Sequence, residues 1–121
     1  MRNLEKYKGV IPAFYACYDK EGNISPEGVQ GLTKYFVKKG VKGVYVNGSS
    51  GECIYQSVED RKIVLENVMK VAEGKLTVIA HVACNNTKDS QELARHAEGL
   101  GVDAIAAIPP IYFHLPEYAI A

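Results

Sequence analysis

The sequence predicts an α/β fold in which parallel strands alternate with helices, and three observations carry that prediction. Four stretches, 9–16, 43–47, 76–82 and 103–108, are continuous apolar runs. Strands buried on both faces of a parallel sheet read this way, whereas half-solvated antiparallel strands alternate. Between them lie three segments with apolar residues at helical spacing. Gly40, Gly74 and Gly101 stop those helical segments and mark a repeat of roughly 30 residues, the size of one strand–helix unit.

The elements follow in order. The first strand is Gly9–Ala16, and Asp19-Lys20-Glu21-Gly22-Asn23 turns the chain after it. Ser25-Pro26-Glu27 opens a helix. The Ser25 hydroxyl accepts from a free N–H, Pro26 suits a position that needs no donor, and Glu27 complements the helix dipole. Val29, Leu32 and Phe36 form its apolar stripe, and Lys38 and Lys39 favour its last turn. The second strand is Gly43–Asn47, followed by the loop Gly48-Ser49-Ser50-Gly51. Ser57-Val58-Glu59-Asp60 reads as a capping box with Asp in place of Glu. Val64, Val68 and Val71 give the next helix its stripe. The third strand is Leu76–Val82, and Asn86 or Thr87 caps the helix lined by Leu93, Ala97 and Leu100. A fourth strand, Asp103–Ile108, runs into Pro109-Pro110.

Two architectures accommodate this order: an open doubly wound sheet, or part of a (βα)8 barrel. A full barrel takes about 250 residues, and the chain has 121. No linker, charge block or low-complexity segment interrupts it, so residues 1–121 are expected to form one domain. Fourteen Lys and Arg balance fourteen Asp and Glu, which gives no reason to expect a nucleic-acid partner. The apolar runs, such as Ala104–Ile111, are too short to span a bilayer, and the polar start at Met1–Lys6 lacks a signal core. Cys17, Cys53 and Cys84 are odd in number and lack metal-type spacing, so free thiols in a cytoplasmic protein are expected, with no bound metal.

In either architecture ligands bind at the carboxyl ends of the strands. Gly48-Ser49-Ser50-Gly51-Glu52 is the most informative of these ends. Its glycines let backbone N–H groups turn inward and its two hydroxyls add donors, which suits a small anion such as a carboxylate. An ordinary turn of small residues fits equally well. It is neither a phosphate loop, since no lysine follows, nor a dinucleotide fingerprint. His81 lies in an apolar strand, where a histidine is more often a hydrogen-bonded core residue than a catalyst. Tyr112 follows two stiffening prolines and is either a positioned proton relay or a packed aromatic. Cys53 and Cys84 fit small packed residues better than nucleophiles.

Three segments together resemble a family. Gly43–Glu52 is similar to the G-x-Y-V-G-G-S-T-G-E segment of N-acetylneuraminate lyases, and Ile79–Cys84 to their I-A-H-V-G-C segment. Asp103–Phe113 resembles their D-A-x-x-A-x-T-P-x-Y-Y strand end. Order and spacing agree from about Gly9 onward. The resemblance implies a class I pyruvate aldolase on a (βα)8 barrel, of which this chain would supply four parallel strands and three helices. Such enzymes use no metal or other cofactor and are usually tetramers, so a homo-oligomer acting on small molecules (pyruvate, sialic acid) is implied. A barrel lysine forms a Schiff base with the substrate keto carbon, a tyrosine relays protons, and the S-T-G loop holds the carboxylate. Carried over by position, Ser49, Ser50 and the Gly51 backbone would bind the carboxylate.

The sequence departs from that pattern in places. Ser50 replaces a threonine, Asn47 a glycine, and Phe113 the second tyrosine of the Y-Y pair, the family's usual relay, so either Tyr112 takes that role through a small backbone shift or the relay is absent. The family's lysine sits on the sixth strand, beyond residue 121. The lysines present fall on helices, in loops or before strands, so the chain is expected to be inactive alone. Dihydrodipicolinate synthase and 2-keto-3-deoxy sugar acid aldolases share the pyruvate half of the mechanism and are alternatives. So is a non-catalytic half-barrel that binds a carboxylate or self-assembles.

Overall fold

The computed structural model describes residues 3–110 and 114–120. Strands β1 (Gly43–Val46), β2 (Thr77–His81) and β3 (Ala104–Ala106) form one parallel sheet in the order β1-β2-β3. Helix α1 (Pro26–Lys39) precedes the sheet, α2 (Val58–Ala72) joins β1 to β2, and α3 (Thr87–Gly99) joins β2 to β3. A short helix α4 (Glu117–Ile120) lies at the end. Right-handed crossovers between neighbouring parallel strands place α2 and α3 on one side of the sheet.

Burial shows which side that is. Val44, Val46, Val78 and Ala80 alternate along β1 and β2 on the helix side and are fully buried. They pack into one core with Phe14, Val29, Val64, Val68, Leu93 and Ala97. Tyr45 and Ile79, which share the opposite face in register, are only half-buried. One face of the sheet is therefore covered by helices and the other is not.

The helix boundaries follow from their caps. Ser25 Oγ accepts from Gly28 N–H at 3.1 Å, and Gly40 ends α1 in the left-handed conformation. Ser57 and Asp60 form the reciprocal capping box at the start of α2. Asn86, not Thr87, caps α3.

The strands are shorter than the apolar runs. The segment 9–16, read as a strand, runs parallel to β1 but forms a single bridge, Ala13 to Tyr45. Tyr45 N–H donates to Pro12 O and Phe14 N–H to Tyr45 O, at 2.9 and 2.8 Å. The backbone groups of residues 12 and 14 thus face β1, and Pro12 has no N–H to continue the ladder. At the other edge, Asp103 spends its groups differently. Its carboxylate accepts from Val78 N–H and its carbonyl from the Tyr7 hydroxyl, so β3 starts only at Ala104. Lys6 also pairs with Asp103 at 2.9 Å, and Thr77 donates to Lys6 O. The 3-10 turn Glu5–Tyr7 is thereby pinned across the amino ends of β2 and β3. No helix among the described residues is long and apolar enough to cross a membrane.

Candidate functional site

The carboxyl end of β1 is built by an abrupt change of backbone. Asn47 takes φ 61° and Glu52 φ 60°, and between these two left-handed residues Ser49–Gly51 form one 3-10 turn. Two glycines make that turn possible. A Cβ on Gly48 would sit 2.6 Å from the Tyr45 ring, and one on Gly51 would sit 2.8 Å from the Phe14 carbonyl oxygen. Gly51 N–H donates to Gly48 O and Glu52 N–H to Ser49 O, each at 3.0 Å.

The family resemblance assigns Ser49, Ser50 and the Gly51 backbone to one carboxylate site. The structure separates their geometry. Ser49 and Ser50 are exposed at the strand end, and their N–H groups and hydroxyls have no partner among the described residues. Gly51 is buried and its N–H is spent inside the turn, so it shapes the loop. Tyr112, and Phe113 beside it, lie outside the described residues.

Around the turn sits a polar group that sequence reasoning did not single out. The Tyr18 hydroxyl donates to Glu52 Oε2 at 2.8 Å, and Gln56 Nε2 donates to the Tyr18 oxygen at 3.1 Å and to Gly51 O at 2.9 Å. The Gln56 bond favours the phenolate, but burial and the Glu52 carboxylate outweigh it and raise the Tyr18 pKa above its ordinary 10.0. Tyr18 therefore stays a protonated donor at neutral pH.

His81, at the carboxyl end of β2, is buried. Its Nδ1 lies 3.0 Å from Asn47 O, which fixes that nitrogen as the donor. Burial first, and the Arg61 cation second, lower its pKa below 6.5, although the Asn47 carbonyl acts the other way. His81 is thus a neutral, hydrogen-bonded core residue, the commoner of the two roles the sequence allowed. Arg61 is itself buried and donates to His81 O at 2.7 Å and to Ala83 O at 2.8 Å. A cavity of about 200 Å³ opens beside these groups, between Gln56, Arg61, Cys84, Asp89 and Pro110.

Cys17, Cys53 and Cys84 are unpaired and half-buried. Cys84 Sγ accepts from Arg61 at 3.1 Å, and burial pushes the Cys17 thiol up. No set of three His, Cys, Asp or Glu side chains among the described residues could hold a metal ion. All eleven lysines lie within the described residues, and none stands at the carboxyl end of β1, β2 or β3. Lys42 and Lys75 precede β1 and β2, at their amino ends. Lys62 faces Glu59 and Glu92, which raise its pKa, the opposite of what an amine nucleophile needs.

Comparison with known proteins places this geometry. The model of the dihydrodipicolinate synthetase family matches residues 6–120. An N-acetylneuraminate lyase from Citrobacter koseri is 40% identical over 106 residues, covering 88% of this chain and 36% of its own length. The crystal structure of N-acetylneuraminate lyase from Mycoplasma synoviae superposes with a TM-score of 0.94 at 35% identity, over 98% of this chain and 41% of that one. A prophage protein of the dihydrodipicolinic acid synthase family from Escherichia coli K12, solved in complex with pyruvate, gives 0.87 at 27% identity, over 93% and 38%. The chain thus spans little more than a third of the curated relatives it matches. A sequential order β1-β2-β3 is common to singly and doubly wound sheets, and the superposition decides for part of a barrel.

Proposed function

The chain belongs to the dihydrodipicolinate synthetase family, and from that premise we propose that it supplies the carboxylate-binding part of a pyruvate aldolase of the N-acetylneuraminate lyase kind. The observation that carries this reading is the pair Ser49 and Ser50. Their N–H groups and hydroxyls stand exposed at the carboxyl end of a parallel strand, on a turn that holds its own other donors internally. A 2-keto acid presents a carboxylate that such donors fit. Gly51 lets the turn close against Phe14.

In this reading the reaction needs a lysine from strands other than these three. Its amine condenses with the keto carbon of N-acetylneuraminate and releases water. The protonated imine accepts the electron pair as the carbon–carbon bond breaks, and the neighbouring hydroxyl loses its proton as N-acetylmannosamine leaves. Tyr112 is the residue proposed to carry that proton. The enamine that remains is reprotonated and hydrolysed to pyruvate. Identities of 38–40% with N-acetylneuraminate lyases favour this substrate over that of dihydrodipicolinate synthase. The unpaired thiols favour a reducing compartment such as the cytoplasm. Residues 1–121 are read as one half-barrel unit that works in an oligomer.

The test has two arms. Added pyruvate is expected to shift the Ser49 and Ser50 amide resonances of the 121-residue chain. The same chain is expected to cleave no N-acetylneuraminate and to give no adduct with pyruvate and borohydride. Unmoved loop resonances would remove the carboxylate site, and a stoichiometric reduced adduct on one lysine would place the imine within this chain.

A further inference from the structure

We propose that Asn47 is a positioning residue that sets the Ser49–Gly51 turn through a closed circuit of buried hydrogen bonds with Arg61 and His81; the functional meaning of that circuit rests on the carboxylate reading above. Asn47 Nδ2 donates to the backbone carbonyl of Arg61, in the first turn of α2, at 2.8 Å. The Arg61 guanidinium donates to the His81 carbonyl at 2.7 Å. The His81 ring donates from Nδ1 to the Asn47 carbonyl at 3.0 Å. Each residue gives one bond to the next, and the three are 4%, 2% and 3% exposed.

The circuit joins three elements: the end of β1, the start of α2 and the end of β2. Ser49 begins two residues after Asn47, so the direction in which the turn leaves the sheet is set at this point. Two properties of Asn47 matter separately. Asparagine is among the few side chains that tolerate φ 61°. Glycine would tolerate it as well, but glycine carries no amide to reach Arg61. With Asn47 in place both strand ends and the helix start are fixed before any ligand arrives, so a carboxylate meets its donors already oriented.

Substitution separates the two properties. Asn47→Gly keeps the backbone and removes the donor, Asn47→Asp keeps size and turn preference but sets an acceptor against the Arg61 carbonyl, and Asn47→Ala removes both. All three are made in the 121-residue chain. Amide hydrogen exchange of Gly51 and Glu52, whose N–H groups are bonded inside the turn, is expected to quicken roughly five-fold or more in Asn47→Gly, with Val78 and Ala80 in the core unchanged. Pyruvate, titrated against the loop resonances, is expected to bind that variant weaker by a similar factor. Asn47→Asp should quicken exchange at least as much, because it loses the same donor and sets a buried acceptor against the Arg61 carbonyl. If Asn47→Gly exchanges and binds as the native chain does, the circuit does not position the loop and the proposal falls. If pyruvate moves no loop resonance even in the native chain, the carboxylate reading fails by itself, and the exchange rates still decide whether Asn47 sets the turn.

Discussion

His81 was visible in the sequence as a histidine inside an apolar strand, and its surroundings now give it a pH dependence with a definite sign. In the unfolded chain it titrates near its ordinary 6.5; in the folded chain burial, with Arg61 adding to it, holds the pKa lower. As pH falls below 6.5 the unfolded state takes up a proton that the folded state still refuses. The stabilisation is intact above pH 6.5 and is lost as pH drops through the folded value. Urea denaturation of the native chain and of His81→Gln across that range should give a stability difference that shrinks toward acid pH. An equal slope in both would show that His81 does not titrate differently on folding. The partners that create this effect were not legible in the sequence. Asn47 carried a signal, since an asparagine where related sequences have glycine points to a left-handed backbone. Nothing in the spacing of Asn47, Arg61 and His81 showed that their side chains and carbonyls would meet. Tertiary packing of a helix start on two strand ends makes that contact, and local pattern does not encode it.

The elements themselves were legible wherever local chemistry terminates them. Helix caps are decided by a side chain and an N–H three residues apart, so Ser25 and Ser57 could be assigned from sequence and the cap of α3 narrowed to Asn86 or Thr87. Strand ends are decided by what lies beside them, and there the reading ran long. Pro12 interrupts the ladder of the first segment, and Asp103 diverts the start of β3 to its side chain. The 3-10 turns at Glu5–Tyr7, Ser49–Gly51 and Cys53–Tyr55 left no periodic signal because each is a single turn. The cap of α2 has a consequence for the site. Ser57 Oγ accepts from Asp60 N–H at 3.0 Å, and the Asp60 carboxylate takes back the Ser57 hydroxyl at 2.8 Å. Ser57→Ala should cost about 0.5–2 kcal/mol in urea denaturation, and it should loosen the turn that presents the Arg61 carbonyl to Asn47. Ser50→Ala, at an exposed residue without such a bond, should stay within about 0.5 kcal/mol of the native chain. Equal losses in the two variants would mean that the box does not hold α2.

At the scale of the molecule, the uncovered side of the sheet is the feature that most needs an explanation. Helices bury one face, while Tyr45 and Ile79 on the other remain half-buried. Both flanks of the sheet expose apolar side chains: Val10 and Tyr15 beside β1, and Ile105 and Ile108 on and after β3. Ile105 lies in register with buried Ala80 on the helix side, yet it is 53% exposed, in an open groove that it lines with Ala94, Arg95 and Glu98 of α3. Among the described residues no strand pairs with the outer edge of β3. Apolar surface left in water costs about 25 cal/mol per Å², and an unpaired strand edge invites pairing. In the Mycoplasma synoviae lyase the matched region is 41% of the chain, so the rest of that barrel is additional polypeptide. For the 121-residue chain alone, a second copy is the available cover. Two copies meeting edge to edge would bring the strand segments to eight, the number that closes a barrel of this kind, and would set two Ser49–Gly51 turns at one mouth. Sedimentation equilibrium at micromolar concentration should therefore show a dimer or a higher even oligomer. Ile105→Lys, which puts a charge at the β3 edge, should shift it toward monomer without changing the helical circular dichroism. A well-folded native monomer at that concentration would refute this, because its sheet would then hold its edges and open face stable in water without a partner.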